Sequence, residues 1–316
     1  MNIKTKKIGE KAQQITALQR GYTSWGDESK IADILCGTRG EALTALKLQI
    51  DQGKDQYDLL ELLYHDIDDL ELRSKIITHF RTHSMKTDPE NRKVRILSDI
   101  DDTLYASLND PTYLRGTLYP GITVFHEELA RQARHLDSDV TDLVLLTARP
   151  RDGLGLVERY TKRALSGQGM DKTVVLSGSL PALRSHLAMA HKKLENFSRY
   201  AELYPEFDFV FIGDSGQGDT TLGELLLRNH PERVRSILIH NLDGGTLSSQ
   251  QVTAFQTYLG AANELHREGL LDASACHKVA VAVRDDLAMA QYRNPEQRER
   301  VLGAYLIDST QLPPLI

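Results

Sequence analysis

The segment SDIDDTL (98–104) contains three aspartates, Asp99, Asp101 and Asp102, within a stretch of four residues. They come at the end of the apolar run VRILSDI, which is typical of a buried strand. Two carboxylates that are two residues apart in an extended turn can face one ligand, but like charges resist joint ionisation without a cation. Mg²⁺ suits a site that combines a few carboxylates with a phosphate group. The alternative is an ordinary turn, because Asp is common in turns.

Two later apolar runs also end in polar residues that suit phosphate chemistry. The run DLVLLT ends in Thr147, whose hydroxyl can bond a phosphoryl oxygen, and Arg149 follows with a positive charge. The run FDFVFIGD ends in Asp214 and opens the glycine-rich loop GDSGQGD, which ends in Asp219. Glycines let the backbone of such a loop approach a ligand or metal closely. The structural alternatives are that Thr is a favoured strand residue and that Gly-Asp loops form ordinary turns.

A pair of lysines, Lys192 and Lys193, precedes the last of these runs by one helix-like stretch. A lysine is a point charge that suits a phosphoryl group, although a solvated helix face is the alternative explanation. The carboxylate turn, the threonine at a strand end, the lysine and the acidic glycine loop occur in this order along the chain. Their joint occurrence favours a single site over four unrelated features.

Five apolar, β-rich runs alternate with helix-like stretches in the second part of the chain. They are VRILSDI (94–100), DLVLLT (142–147), KTVVLSG (172–178), FDFVFIGD (207–214) and VRSILIH (234–240). This alternation predicts an α/β fold with a parallel five-stranded sheet and helices on both faces. Because ligands bind at the carboxyl ends of the strands in such sheets, we expect Asp99, Thr147 and Asp214 to lie close together.

The first part of the chain has a different character. Residues 1–90 contain no strand-like run, and their leucines and isoleucines recur at helical spacing. The polar segment TDPEN (87–91) then breaks the pattern. We therefore predict a helical N-terminal region over 1–90 and an α/β domain over 91–316, in which helices return at the C-terminal end.

The order of the motifs resembles the four-motif pattern of the haloacid dehalogenase superfamily from about Val94 to His240. The stretches SDIDDTLYAS, LYPGITVF and HKKLENFSRYAELYPEFDFVFIGDSGQGD are also similar to the phosphatidate phosphatase catalytic domain family first known from a yeast actin-patch protein. The resemblance implies a Rossmann-like fold with a minimal cap. It also implies that the protein hydrolyses phosphomonoesters, with a lipid phosphate such as phosphatidate as the expected substrate, Mg²⁺ as cofactor and an aspartyl-phosphate as intermediate.

The resemblance also assigns roles to individual residues. Asp99 would be the nucleophile, and Asp101 the general acid and then the general base. Thr147 and Lys193 would hold the transferring phosphoryl group, and Lys193 is preferred to its neighbour because it lies 21 positions before Asp214. Arg149 and Lys192 are further candidates for binding substrate. The implied Mg²⁺ ligands are Asp99, the backbone carbonyl of Asp101, Asp214 and Asp219.

The short distances between motifs predict an open site. About 40 residues separate the first two motifs, and about 45 separate Thr147 from Lys193, so neither gap holds a sizeable cap domain. An open site suits a large substrate, such as a lipid headgroup at a membrane surface or a phosphoprotein. The segment Tyr105–Tyr119 is apolar enough to act as a flap that touches lipid, and packing on the sheet edge is its structural alternative. Two alternatives remain for the function: a phosphatase of soluble small-molecule or protein phosphates, and a non-catalytic protein that binds a partner.

Composition limits the setting and the partners. A formal net charge of −6 over 316 residues gives no indication of a nucleic-acid partner. The two cysteines, Cys36 and Cys276, cannot form a disulfide framework and favour a reducing, cytoplasmic setting. The polar first residues do not resemble a signal peptide, and no apolar run is long enough to predict a transmembrane helix. The sequence does not determine an oligomeric state.

Overall fold

The fold is built around a parallel β-sheet. The computed structural model describes residues 3–51, 58–86, 92–107, 109–133, 143–150, 174–178, 185–216, 218–247 and 249–315. Its six strands are β1 (Lys93–Ser98), β2 (Leu143–Pro150), β3 (Val174–Gly178), β4 (Phe207–Asp214), β5 (Val234–His240) and β6 (Thr253–Phe255). They lie in the order β3-β2-β1-β4-β5-β6, and every pairing is parallel. The predicted α/β fold with its parallel sheet is confirmed, and the three-residue β6 extends the five predicted strands at one edge.

Helices cover both faces of the sheet. In the N-terminal part they are α1 (Ile3–Leu18), α2 (Trp25–Cys36), α3 (Glu41–Asp51), α4 (Leu59–Glu61, continued by a π-helical turn over Leu62–Asp66) and α5 (Leu70–His83). The remaining described helices are α6 (Ile122–Ala133), α7 (His186–Leu203), α8 (Asp219–Asn229), α9 (Tyr258–Arg267), α10 (Ala273–Met289) and α11 (Pro295–Ser309). None of the described helices is both long enough and apolar enough to cross a membrane.

The strands divide their side chains between two hydrophobic cores. Because successive side chains of a strand point to opposite faces, Phe209 and Phe211 of β4 enter one core while Val210 and Ile212 enter the other. The first core is completed by α1–α5, α7 and α8, and the second by α6 and α9–α11. The N-terminal helices therefore share a core with one face of the sheet. The division into regions 1–90 and 91–316 stays a prediction.

A buried ion pair joins the N-terminal helices to the amino-terminal end of the sheet. Lys47 of α3 places its Nζ 2.7 Å from Oε1 of Glu206, which directly precedes β4, and both side chains are fully buried. The same Nζ donates to the carbonyl oxygen of Leu203, at the end of α7. Nearby, Asp51 of α3 accepts a hydrogen bond of 2.6 Å from the hydroxyl of Tyr204. These contacts fix α3 against the carboxyl end of α7.

We expect Lys47→Met to lower the free energy of unfolding by about 3–5 kcal/mol, because Glu206 is left as a buried charge without its cation. Urea unfolding followed by circular dichroism measures the change. The double variant Lys47→Met, Glu206→Gln should regain part of the loss. As a control, Lys30→Met removes a surface ion pair with Asp27, in which the Lys30 side chain is 63% exposed, and should cost at most about 1 kcal/mol. Equal effects at the two lysines would contradict this account.

On the other face of the sheet, a histidine is buried among aromatic side chains. His126 of α6 lies beside Phe125 and Tyr258. Within the described part of the chain, neither of its ring nitrogens has a hydrogen-bond partner. Burial lowers the pKa of His126 to about 3, because an apolar environment disfavours the charged imidazolium. The native protein therefore keeps this ring neutral at pH values where the unfolded chain protonates it.

Acidification should accordingly destabilise the protein through His126. The unfolded chain takes up a proton below about pH 6.5 and the native chain only near pH 3, so stability falls as the pH drops through this window. At its steepest, this one residue contributes about 1.4 kcal/mol per pH unit. Urea unfolding between pH 4 and 7 should show a smaller slope against pH for His126→Leu. The neighbouring Phe125→Leu should lower stability without changing the slope, and an unchanged slope for His126→Leu would contradict the prediction.

Candidate active site

The first and fourth strands bring their carboxyl-terminal aspartates together. Asp99 follows β1 directly, and its backbone N–H donates to the carbonyl oxygen of Ile212 on β4 at 2.9 Å. Asp214 is the last residue of β4, and Asp219 is the first of α8. One carboxylate oxygen from each of these three aspartates lies within 4.8 Å of the others, and all three residues are buried. The structure thus joins aspartates that are up to 120 positions apart in sequence.

One lysine connects two of these carboxylates. Lys193 of α7 places its Nζ 2.9 Å from Oδ1 of Asp99 and 2.6 Å from Oδ1 of Asp219, and its side chain is 2% exposed. Lys192 points elsewhere, because its Nζ pairs with Oε2 of Glu195 at 2.9 Å at the protein surface. Of the two lysines that the sequence singled out, only Lys193 joins the cluster.

A glycine allows the acidic loop to close on the site. A Cβ atom on Gly213 would lie 2.5 Å from Oδ2 of Asp219 and 2.6 Å from its Cβ atom. Any other residue at this position would therefore push Asp219 away from the end of β4. A glycine at position 213 is therefore required for steric reasons. This agrees with the close backbone approach that the glycine-rich loop predicts.

The cluster carries more negative than positive charge. Burial raises the pKa of Asp99 to about 7; Lys193 lowers it, and the carboxylates of Asp219 and Asp101 add to the rise. Burial and the negative charges of Asp219 and Asp99 raise the pKa of Asp214 well above its usual value. The pKa of Lys193 is raised, because the two carboxylates outweigh the effect of its burial. A single ammonium does not balance three carboxylates, so the site favours a further cation.

The donor atoms of the cluster fit a hard divalent cation. Oδ2 of Asp214 is buried and has no hydrogen-bond partner among the described residues, while its Oδ1 accepts from the backbone N–H of Gly216 at 2.5 Å. A buried carboxylate oxygen without a partner is costly. Carboxylate oxygens are the ligands that Mg²⁺ and Ca²⁺ prefer. Asp99, Asp214 and Asp219 are therefore the residues that can hold such an ion.

The other two carboxylates of the first motif are engaged in the turn that follows Asp99. Asp101 accepts a hydrogen bond of 2.6 Å from the hydroxyl of Ser107. Asp102 has a left-handed backbone with φ of 56°, and its carboxylate accepts from the backbone N–H groups of Ser107 and Asn109, each at 2.7 Å. The carboxylate of Asp102 therefore stabilises the turn. Ser107 was missed by sequence reasoning, because a lone serine outside the motif gives no signal.

The remaining predicted residues lie on neighbouring strands. Thr147 of β2 is buried, two positions beyond Leu145, which pairs with Ser98 of β1. It therefore lies at the same end of the sheet as Asp99. Arg149 belongs to β2, but its side chain lies outside the described part of the structure. His240 ends β5 and places its Nδ1 3.1 Å from the carbonyl oxygen of Asp102, which is a structural contact.

The segment Tyr105–Tyr119, which we call the flap, forms a short turn beside the site. Tyr105 and Leu118 form an antiparallel bridge at its base. Tyr113 and Tyr119 are buried and pack edge to face, with ring centroids 5.7 Å apart. These aromatic rings belong to the core, as in the structural alternative. Leu114 is the large apolar residue of the described flap that is exposed, and Leu108 lies outside the described residues.

Comparison with known proteins identifies a related family for the part of the chain that carries the cluster. Residues 94–241 match the family model described as "Phosphatidate phosphatase APP1, catalytic domain". The match runs from β1 to the first residue after β5 and includes every residue of the acidic cluster. No curated protein and no solved structure matches the chain.

The charge imbalance at Asp214 leads to a stability test. In a buffer with chelator, Asp214→Asn should raise the free energy of unfolding by about 1 kcal/mol or more, because it removes one of three mutually repelling carboxylates. Added Mg²⁺ should raise the Tm of the unmodified protein, since about 100-fold excess over Kd contributes about 2.7 kcal/mol. The same addition should have little effect on the variant. Scanning fluorimetry measures both shifts.

Asp208→Asn provides the matched control on the same strand. Asp208 is also a buried aspartate, but it lies 3.4–3.6 Å from three arginines, Arg92, Arg233 and Arg235. Its replacement should lower the Tm and leave the response to Mg²⁺ intact. An Asp214→Asn protein that is less stable than the unmodified chain in chelator and keeps its full response to Mg²⁺ would contradict the assignment.

Proposed function

We propose that this protein hydrolyses a lipid phosphate such as phosphatidate through an aspartyl-phosphate on Asp99, because residues 94–241 match the model of the phosphatidate phosphatase APP1 catalytic domain. The observation that carries the proposal is the convergence of Asp99, Lys193, Asp214 and Asp219 in one buried cluster at the carboxyl end of the sheet. Mg²⁺ is the proposed cofactor, held by the three aspartates of that cluster.

In the first step, a carboxylate oxygen of Asp99 attacks the phosphorus atom. A bond forms between this oxygen and phosphorus, and the bond between phosphorus and the leaving oxygen breaks. Asp101 gives its proton to the leaving oxygen, so that an alcohol departs rather than an alkoxide. Bound Mg²⁺ supplies the positive charge that lets an anionic nucleophile approach an anionic phosphate.

Lys193 has two tasks in this step. Its Nζ lies 2.9 Å from Asp99 and 2.6 Å from Asp219, and it thereby fixes the orientation of the attacking carboxylate. Its positive charge also offsets the negative charge that collects around the phosphoryl group, since phosphoryl transfer depends mainly on positioning and on charge neutralisation. The hydroxyl of Thr147, at the end of β2, is proposed to hold a phosphoryl oxygen.

In the second step, water hydrolyses the aspartyl-phosphate. Asp101, which lost its proton in the first step, now accepts one from the attacking water. The water oxygen forms a bond to phosphorus as the bond between Asp99 and phosphorus breaks, so that inorganic phosphate leaves and the carboxylate of Asp99 is regenerated. One carboxyl group thus acts as acid and then as base, which requires that it face the same point in both steps.

The lipid substrate is proposed on the family and on the short spacing between the motifs. Among the described residues between β1 and β2, the structure has the flap and α6 and no cap domain. A phosphate monoester on a large headgroup needs a site without such a cap. Phosphatases of soluble small molecules or of proteins share this chemistry, and they are the alternative.

The two thiols, Cys36 and Cys276, are free, and a cytoplasmic setting stays a prediction.

A substrate panel tests the proposal. Purified protein should release inorganic phosphate from short-chain phosphatidate faster than from a sugar phosphate or a phosphopeptide, and chelation of Mg²⁺ should stop the release. Asp99→Asn should abolish turnover, and Asp101→Asn should lower it by roughly 10²–10⁴-fold. Lys193→Met should lower it strongly, whereas Lys192→Met, which alters the neighbouring surface residue, should leave it near the original rate. Circular dichroism checks that each variant is folded.

Different outcomes refute different parts of the proposal. Normal turnover by Asp99→Asn would refute the nucleophile. Faster release from the sugar phosphate or the phosphopeptide would favour the soluble-substrate alternative. No Mg²⁺-dependent release from any substrate, including an aryl phosphate, would favour a non-catalytic protein that binds a partner through its helical N-terminal region.

A further inference from the structure

The connection between α10 and α11 (residues 290–294) pairs with the flap. The backbone N–H of Leu114 in the flap donates to the carbonyl oxygen of Gln291 at 3.1 Å. The backbone N–H of Arg293 donates in return to the carbonyl oxygen of Thr112 at 2.9 Å. The two segments thus form a short antiparallel pairing. This connection lies outside the span that matches the family model, so a part of the chain beyond that span holds the flap.

An arginine of α11 adds a side-chain link to this pairing. Arg300 is partly buried, and its Nη2 donates to Oγ1 of Thr112 at 2.5 Å and to the carbonyl oxygen of Leu242 at 2.8 Å. Its Nε donates to Oε1 of Gln297 at 2.9 Å, which fixes the guanidinium on its own helix. Thr112 and Leu242 are both buried. Because a guanidinium presents its donors in fixed directions, Arg300 joins the flap to the loop that follows β5.

The start of the flap lies against the acidic loop of the candidate site. Asn109 is exposed, and its backbone N–H donates to Oδ2 of Asp102 at 2.7 Å. A Cβ atom on Gly216 would lie 2.8 Å from Nδ2 of Asn109 and 3.1 Å from its Cβ atom. The flap is therefore packed closely against the loop that runs from Asp214 to Asp219. It forms a wall beside the carboxylate cluster, and this wall is held at both ends.

We propose that the connection between α10 and α11 holds the flap as a fixed wall for the part of the substrate that extends beyond its phosphate, with Arg300 as the positioning residue. The inference rests on the proposed function. Arg300 acts through Thr112 and lies on the side of the flap away from the acidic loop. A wall that is already ordered does not have to be ordered when the substrate binds. Loss of the outer anchor leaves Asp99 and Lys193 in place and lets the outer part of the flap open locally.

This role predicts an effect on KM that depends on the size of the substrate. The glycerol and acyl groups of phosphatidate extend beyond the phosphate and can contact the flap, whereas para-nitrophenyl phosphate is small. Contacts with a wall that does not touch the reacting atoms are equally strong in the bound substrate and in the transition state. Their loss raises KM and leaves kcat near its original value. A loosened flap therefore weakens binding of the large substrate and spares the small one.

The experiment compares the full chain with Arg300→Met, with Mg²⁺ present. We expect the KM for short-chain phosphatidate to rise at least about fivefold, while its kcat and the KM for para-nitrophenyl phosphate change by no more than about twofold. Hydrogen exchange followed by mass spectrometry should show that flap peptides containing Leu114 exchange at least about tenfold faster, because the anchor that keeps the flap closed is lost. Arg300→Lys keeps a cation that can donate to Thr112 or Leu242, and should recover part of both effects.

A second variant and a matched control separate the anchor from general support of the fold. Thr112→Val removes the acceptor of Arg300 at nearly constant volume and should change KM and exchange in the same direction. The double variant should be no worse than Arg300→Met alone, since both changes remove one contact. Arg131→Met is the control. Arg131 of α6 pairs with Asp272, just before α10, at 3.1 Å, so it also links the family-matching span to the C-terminal helices, but away from the flap. Its replacement should leave KM and flap exchange unchanged.

Several outcomes would overturn the proposal. Unchanged exchange at Leu114 in Arg300→Met would show that the arginine does not anchor the flap. Equal losses of kcat on both substrates at constant KM would show that it only supports the fold. A higher kcat at constant KM would indicate a restrained lid rather than a fixed wall. If the unmodified protein hydrolyses neither substrate, the proposed function fails and the effect on substrate with it, whereas the exchange measurement still decides whether Arg300 holds the flap.

Discussion

The repulsion among three buried carboxylates around a single ammonium is the constraint on which the rest of the site depends. Burial and mutual repulsion disfavour the ionised forms of Asp99, Asp214 and Asp219, the ammonium of Lys193 offsets part of this cost, and the cluster favours a further cation. The parallel sheet makes the arrangement possible, because it delivers two of the aspartates from neighbouring strands. Gly213 allows the third aspartate, Asp219, to approach closely, and α7 positions Lys193.

The sequence predicts the part of this site that depends on strand order and spacing. Asp99 and Asp214 each follow a long apolar run, and the carboxyl ends of parallel strands meet at one edge. The spacing between Lys193 and Asp214 also favours the correct member of the lysine pair, since only that residue enters the cluster. These features are local in sequence, so they can be recognised without coordinates.

Other features depend on geometry that no local pattern encodes. Asp102 has a left-handed backbone, and its carboxylate accepts a hydrogen bond from the backbone N–H of Ser107. Asp102 therefore stabilises the turn in which the hydroxyl of Ser107 donates to Asp101. The strand β6 has three residues and therefore lacks a detectable apolar period. The ion pair between Lys47 and Glu206 joins residues 159 positions apart. Such contacts arise only when the two cores form.

The distribution of the two cores bears on which piece of the chain can fold by itself. Helices α1–α5 cover part of one sheet face, and α9–α11 cover part of the other, and both groups lie outside residues 94–241. An excised polypeptide limited to that span would expose apolar strand and helix surfaces to water on both sides. The span that matches the family model therefore does not cover its own apolar surfaces, and its solubility depends on the flanking helices that complete both cores.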